Sequence, residues 1–465
     1  MPPQPSPCDL PALRDALASK GDMPTVLVWF KAKPRISTMR PLAATIAGAG
    51  YRVFLGWPPM LDLDPAEVAG DTGLACYVVR FADVPSLRGV DLFISSEVDI
   101  SDAPADAVRF AIHHSLPDAS IRREYHSLIA IKPKVAINAD YYAIPVLQEP
   151  QDWQAKCYAP FVDRVFPANL LSGRPDRLTV VPFGYPKIDH LMAEDVSGVA
   201  LDTITYAPTQ SIKGFGSVAR RGQEILSMLL AEFPDHRIAF RPYPVRDPAR
   251  LQDLMHRFDD HPRYVLDESP TGEDVLRRSA LVVTDRSSVA ISFGLGYARP
   301  VVFFDDTRPK AGKGIGPFDT IGLRTGTIDE LRTAIERLLA DPAAVAERVE
   351  RRRGDYICNP GRAAEYLVEA IPDILSGKSR PDWLEVPRRP FAARNRAAYL
   401  RQFERLRSEV LRRDPSVDEE RFAFFREAYQ SAAPVRPLRS LAGRILRRMR
   451  DPRRYLSRPR GPESR

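Results

Sequence analysis

The stretch A-L-V-V-T-D-R-S-S-V-A-I-S-F-G-L-G-Y-A-R-P, residues 280–300, runs directly into V-V-F-F at 301–304 and sets the fold class. An apolar run ends at Thr284, the pattern of a strand buried on both faces. Asp285 follows, and Ser287 and Ser288 open a helical pattern over Val289–Tyr297. A second apolar run begins at Val301. Strand, helix and strand in so short a span read as parallel α/β layering.

The alternation extends in both directions. Downstream of residue 200, apolar runs at Thr203–Ala207, Arg237–Arg241, Tyr264–Asp267, Leu281–Thr284 and Val301–Phe304 are separated by helical patterns. Those patterns are Val218–Glu232, Pro248–Phe258, Val289–Tyr297 and Ile328–Ala340. Upstream the runs are Thr25–Phe30, Tyr51–Trp57, Cys76–Phe81, Asp91–Ser96, Arg109–His114, Val135–Asn138 and Arg164–Pro167, with a helical segment around Pro41–Ala49. The prediction is two facing Rossmann-like halves, 23–185 and 200–372, joined through Gly184–Asp202. Ligands in open α/β sheets bind at the carboxyl ends of strands, so the site is expected in the cleft between the halves.

Beyond residue 377 the pattern changes. Residues 377–435 read as a helical extension, with helical segments at 391–412 and 418–430. Residues 436–465 form a basic tail. There Leu438, Leu441, Ile445, Leu446 and Met449 make an apolar stripe at helical spacing, with Arg444, Arg447, Arg448 and Arg450 among them. Such a basic amphipathic helix suits an anionic membrane surface.

The counts narrow the class. The chain has 465 residues, 44% hydrophobic and 27% charged, which excludes wholesale disorder. Its net charge of +7 is uneven. The tail holds eleven arginines against Asp451 and Glu463, a net +9, which leaves the other residues at −2. A nearly neutral body with a basic tail argues against a nucleic-acid binder and for a local electrostatic anchor. No apolar stretch approaches the roughly 18–20 residues of a membrane span. The first residues lack the apolar core of a signal peptide, so a cytoplasmic location is expected. The four cysteines form no CxxC pair, so neither a disulfide framework nor a structural zinc site is expected.

Several segments carry candidate chemistry. Ser287 and Ser288 at a helix start suit phosphate oxygens, the alternative being a plain helix cap. The loop after Thr203–Ala207 offers Thr209, Gln210, Ser211 and Lys213 as a cradle for an anionic group. His113 and His114 sit together at a strand end, where a histidine can act as a base near neutral pH. The alternative is a pair of structural histidines. P-F-G-Y-P-K-I-D-H-L, residues 182–191, reads only as a turn. K-A-G-K-G-I-G-P-F, residues 310–318, lacks the P-loop order and reads as a loop after a strand.

In sequence order these segments resemble the CDP-glycerol glycerophosphotransferase family of teichoic-acid primases and polymerases. Gly184-Tyr185-Pro186-Lys187-Ile188-Asp189 is similar to its G-Y-P-R-x-D turn. Tyr206-Ala207-Pro208-Thr209 is similar to Y-A-P-T-W, with Gln210 in place of Trp. Thr284-Asp285-Arg286-Ser287-Ser288 is similar to T-D-Y-S-S, and Gly361-Arg362-Ala363-Ala364 to a later G-K-A-S. The resemblance spans roughly residues 109–372. It implies a GT-B fold and no cofactor or metal in the site, although Asp305-Asp306 at a strand end keeps a metal open.

The resemblance also implies roles. His114, in His114-Ser115-Leu116-Pro117 against H-G-T-P, is expected to be the base that activates the acceptor hydroxyl. Asp285, Ser287 and Ser288 are expected to hold the donor's diphosphate and glycerol end. Arg241-Pro242-Tyr243-Pro244 stands where the family has R-x-H-P. Tyr243 donates a hydrogen bond there but carries no positive charge at pH 7. Lys213 and Arg241 are expected to offset charge on the leaving group.

The implied activity is transfer of glycerol phosphate, or a related phosphopolyol, from a CDP-linked donor to a hydroxyl of a lipid-linked or glycan acceptor. The setting would be cell-surface polymer synthesis at the inner face of the plasma membrane, with the tail as anchor. The alternatives are a GT-B glycosyltransferase using a nucleotide sugar and a non-catalytic scaffold recruited to the membrane.

Overall fold

A computed structural model describes residues 9–19, 21–96, 100, 102–112, 139–145, 177–209, 217–243, 249–269, 271–285, 287–306 and 318–387. Two sheets dominate these residues.

The first contains β1 (Thr25–Trp29), β2 (Arg52–Trp57), β3 (Ala75–Val78), β4 (Leu92–Ser95), β5 (Val108–Ile112), β6 (Tyr141–Ile144) and β7 (Arg177–Pro182). The second contains β8 (Thr203–Tyr206), β9 (Arg237–Phe240), β10 (Tyr264–Leu266), β11 (Ser279–Thr284), β12 (Val301–Phe304) and β13 (Gly322–Thr325). A late strand, β14 (Leu384–Pro387), joins the first sheet antiparallel to β7. The orders are β14-β7-β6-β5-β4-β1-β2-β3 and β10-β9-β8-β11-β12-β13. All pairings but β14–β7 are parallel. The second sheet has the 3-2-1-4-5-6 order of a dinucleotide-binding fold, and the first sheet contains the same order when read from its β3 edge.

The period-2 rule explains the layering. Along β1, Val26, Val28 and Phe30 enter one core while Leu27 and Trp29 enter another on the opposite face. Both faces are covered, so every residue of β1 is buried. In the second half, Thr327 caps the helix Ile328–Ala340 by accepting from the Glu330 N–H at 3.2 Å, and Glu330 Oε2 accepts from the Gly326 N–H at 2.8 Å. This places the helix start at the residue the pattern indicated.

Three expectations need correction. The second half does not extend to 372. The helix Ala363–Ser376 puts Ala363, Leu367, Ala370, Ile371 and Ile374 into the first half's core, so the chain crosses back near residue 358. The segment after 377 begins with a strand, because Leu384–Pro387 pairs with the open edge of β7. Residues 182–191 are more than a turn, since Pro186–Ala193 form a helix with Pro at its first position. The strands β6, β7 and β13 correspond to none of the expected runs. The runs at 135–138 and 164–167, the helical segments at 391–412 and 418–430 and the basic tail lie outside the described residues.

The crossing is tightly built. Gly184 has φ +102°, and a Cβ there would lie 2.5 Å from the Cys358 carbonyl oxygen and 2.9 Å from Ala363 Cβ. Asn359 Nδ2 donates to the carbonyls of Pro182 and Phe183 at 2.9 and 3.1 Å. The Asp189 carboxylate accepts from the N–H groups of Gly361 and Ala363 at 2.8 and 2.6 Å. Burial raises that carboxyl to about 6, against the pull of the two backbone donors. The G-Y-P-K-I-D and G-R-A-A segments therefore form one joint where the chain passes between the halves twice.

Candidate functional site

In the second sheet, β8 and β11 are neighbours from which the chain departs in opposite directions, to β9 and to β12. A crevice opens at the carboxyl ends of such a strand pair. Ala207, Pro208 and Thr209 leave β8 there, and Asp285, Ser287 and Ser288 leave β11. Thr284 Oγ1 donates to the Ala207 carbonyl at 2.7 Å, tying the two exits together.

Asp285 is buried and organises this crevice. Its carboxylate accepts from the Thr209 N–H at 2.8 Å, the Ser217 N–H at 2.7 Å and the Ser217 hydroxyl at 3.2 Å. It thus ties Thr209 and Ser217 to the end of β11. Three of the roughly four acceptor positions of this carboxylate are taken up in positioning its neighbours.

The helix Ser288–Gly296 starts at the crevice. Ser287 is its N-cap, in extended conformation, yet its side chain makes no capping hydrogen bond. The hydroxyl is therefore not committed to the helix, and the plain-cap alternative does not describe it. Ser287 and Ser288 both line a cavity of about 200 Å³, together with Ala207, Pro208, Arg241 and Tyr243. That volume is below the roughly 300–1,000 Å³ of pockets that enclose a drug-sized ligand. The described walls therefore enclose less space than a drug-sized ligand fills.

The cavity is shared by both halves and is cationic. Arg35 and Ser37 reach it from the first half, Tyr185 and Lys187 from the joint, and Arg241 from the second half. Arg241 is fixed by Asp267 at 2.6 Å and by the Ser269 carbonyl at 2.9 Å. Gly272, at φ +70°, lies against its guanidinium, where any Cβ would come within 2.4 Å. Lys187 is half-buried. Burial first, then Arg241 and Arg35, push its ammonium down to about 8, against the opposing pull of Glu273.

The structure thus brings together Ser287, Ser288, Arg241 and Tyr243, with Thr209 tied to Asp285. His114, Gln210, Ser211 and Lys213 lie outside the described residues. Sequence reading missed Arg35 and Lys187. The signals were present: Lys33-Pro34-Arg35 follows β1 at a carboxyl end, and Lys187 lies inside the G-Y-P-K-I-D turn. Asp306 is not poised as a metal ligand, because Arg220 pairs with it at 2.6 Å and Arg221 at 3.4 Å. Among the described residues no group of three His, Cys, Asp or Glu side chains converges to hold a metal ion. Among them, too, no helix is long and apolar enough to cross a membrane.

No family model matches the chain, and no curated protein matches it. Solved structures do. The wall teichoic acid polymerase TagF superposes with a TM-score of 0.53 at 15% identity, covering 79% of this chain and 93% of that one. A TagF variant soaked with CDPG gives 0.50 at 14% identity, covering 76% and 89%. A UDP-N-acetylglucosamine 2-epimerase gives 0.52 at 13%, covering 77% and 98%. The chain therefore has a GT-B-like fold, and its resemblance to the glycerophosphotransferases holds at the level of architecture.

Proposed function

We propose that the chain is a transferase that moves glycerol phosphate or a related phosphopolyol from a CDP-linked donor to a hydroxyl on a lipid-linked or glycan acceptor. One observation carries the reading. A helix start with an uncommitted Ser287 hydroxyl faces Arg35, Lys187 and Arg241 across one small cavity at the strand switch point. Helix N-termini and clustered cations both favour a diphosphate.

In this reading His114 takes the proton of the acceptor hydroxyl. The acceptor oxygen bonds to the phosphorus that carries the polyol, the bond from that phosphorus to the bridging oxygen breaks, and CMP leaves with the electron pair. Arg241 and Lys187 offset the charge that develops on the leaving phosphate. Asp285 keeps the Thr209–Ser217 loop in register, and Gln210, Ser211 and Lys213 of that loop complete the donor cradle.

A transfer assay comparing CDP-glycerol with UDP- and GDP-sugars tests the reading. Turnover with CDP-glycerol, reduced roughly 100-fold in His114→Ala, is expected. Turnover with a sugar nucleotide alone would replace this reading with a GT-B glycosyltransferase. Tyr243, on the cavity wall in place of a histidine, favours that second reading. A protein that binds no nucleotide would be the scaffold instead. The tail at 436–465 is proposed to hold the enzyme on the inner membrane face beside its acceptor. Its deletion should abolish sedimentation with anionic liposomes, each arginine contributing about 1 kcal/mol at such a surface.

A further inference from the structure

We propose that Lys187 is a diphosphate-binding residue, and that with Arg35 and Arg241 it forms one anion seat built from both halves and the joint between them. The inference rests on the transferase reading only for the identity of the nucleotide. The seat itself rests on geometry: these three cations line a cavity that also receives Ser287 and Ser288 at a helix start.

The three cations are not equivalent. Arg241 is already paired with Asp267 and held by Ser269. Lys187 has no hydrogen-bond or ion-pair partner among the described residues. It comes from the first turn of Pro186–Ala193, a helix fixed to the crossing by Asp189 and by the close packing at Gly184. The groups around it are Arg35, Arg241 and Glu273, with Tyr185 and Tyr243 on the same wall. Two like charges and burial outweigh one carboxylate, so the empty seat disfavours the ammonium. A bound dianion reverses that balance and draws a proton onto Lys187. Tyr243 supplies no charge, so in this chain the variable charge at the seat falls to the joint.

Calorimetry with CDP and with inorganic pyrophosphate, in two buffers of different ionisation enthalpy, reads the proton directly. At about pH 9 the wild type should take up about one proton on binding, because Lys187 is then mostly neutral in the free protein. Lys187→Met should bind roughly 10- to 100-fold more weakly near neutral pH and take up no proton. Lys187→Arg should recover most of the affinity, again without proton uptake, because a guanidinium stays charged throughout. A purely structural lysine would not separate affinity from proton count in this way. Unchanged affinity and proton uptake in Lys187→Met would overturn the inference while leaving the transferase reading intact. Pyrophosphate binding with proton uptake, but no CDP binding, would keep the seat and sink the cytidine donor. Binding of neither probe by the wild type would overturn the seat.

Discussion

Arg40 and Glu273 are 233 positions apart in the chain and meet across the cleft, Nη2 to Oε2 at 2.9 Å. Arg40 sits on the helix Ile36–Gly48 of the first half, and Glu273 opens the helix Glu273–Arg278 of the second. The next residue back is Gly272, which packs on Arg241. The latch between the halves is thus one residue from the anion seat.

Both partners of the latch are only about one-fifth exposed, so salt should screen the pair less than it screens a surface pair. A double-mutant cycle with Arg40→Met and Glu273→Gln should give a coupling of about 0.5–3 kcal/mol in unfolding free energy. The coupling should be larger at low salt. Zero coupling at low salt would mean that the halves do not meet this way in solution.

Ser287→Ala separates capping from binding. A serine that caps its helix costs about 1 kcal/mol when replaced by alanine. Ser287 makes no such bond, so thermal unfolding of Ser287→Ala should stay within about 0.5 kcal/mol of wild type. CDP affinity, measured by calorimetry, should fall by about 1 kcal/mol for the lost hydrogen bond. A destabilised variant with intact affinity would restore the plain cap.

Asp285→Ala should behave in the opposite way. It leaves the N–H groups of Thr209 and Ser217 without their acceptor and costs roughly 1–3 kcal/mol per buried group left unpaired. Hydrogen exchange at Thr209 and Ser217 should accelerate together. Acceleration at one of the two alone would show that the carboxylate does not hold both.

Gly184→Ala tests the joint. The substitution forces a side chain onto φ +102° and into contact with the Cys358 carbonyl. Strain and overpacking together should cost about 2–5 kcal/mol. A melting temperature equal to wild type would show that the crossing is looser than described.

Lys187→Met should stabilise the empty protein. The lysine titrates at about 8 in the fold and near 10.5 when unfolded. Between those values the unfolded chain holds more protons, so stability at this site rises with pH. The penalty of the buried charge is fully present below about pH 8 and is relieved as pH approaches 10.5. Lys187→Met should therefore melt higher near neutral pH, with a gain that shrinks at high pH. A gain that does not depend on pH would show that the ammonium is not under strain.

The sequence alone carried what is local. Apolar runs and 3.6-residue periods located β8, β9, β11 and β12 and the helices Val218–Glu232 and Ile328–Ala340, because each pattern is complete within one element. The placement of Ser287–Ser288 at a helix start was legible for the same reason. Contacts between distant segments decided the rest. Asp285 and Thr209 are 76 positions apart, and only their meeting turns a motif carboxylate into a clamp. Asp189 and Gly361 are 172 apart, and no local signal sends the helix Ala363–Ser376 back to the first core. Its amphipathic face fits either sheet, and the chain path selects one. Lys187 is a surface-type residue by composition. Only the approach of Arg35 from one half and Arg241 from the other turns it into part of a site, because electrostatic coupling depends on distance in space and not on order along the chain.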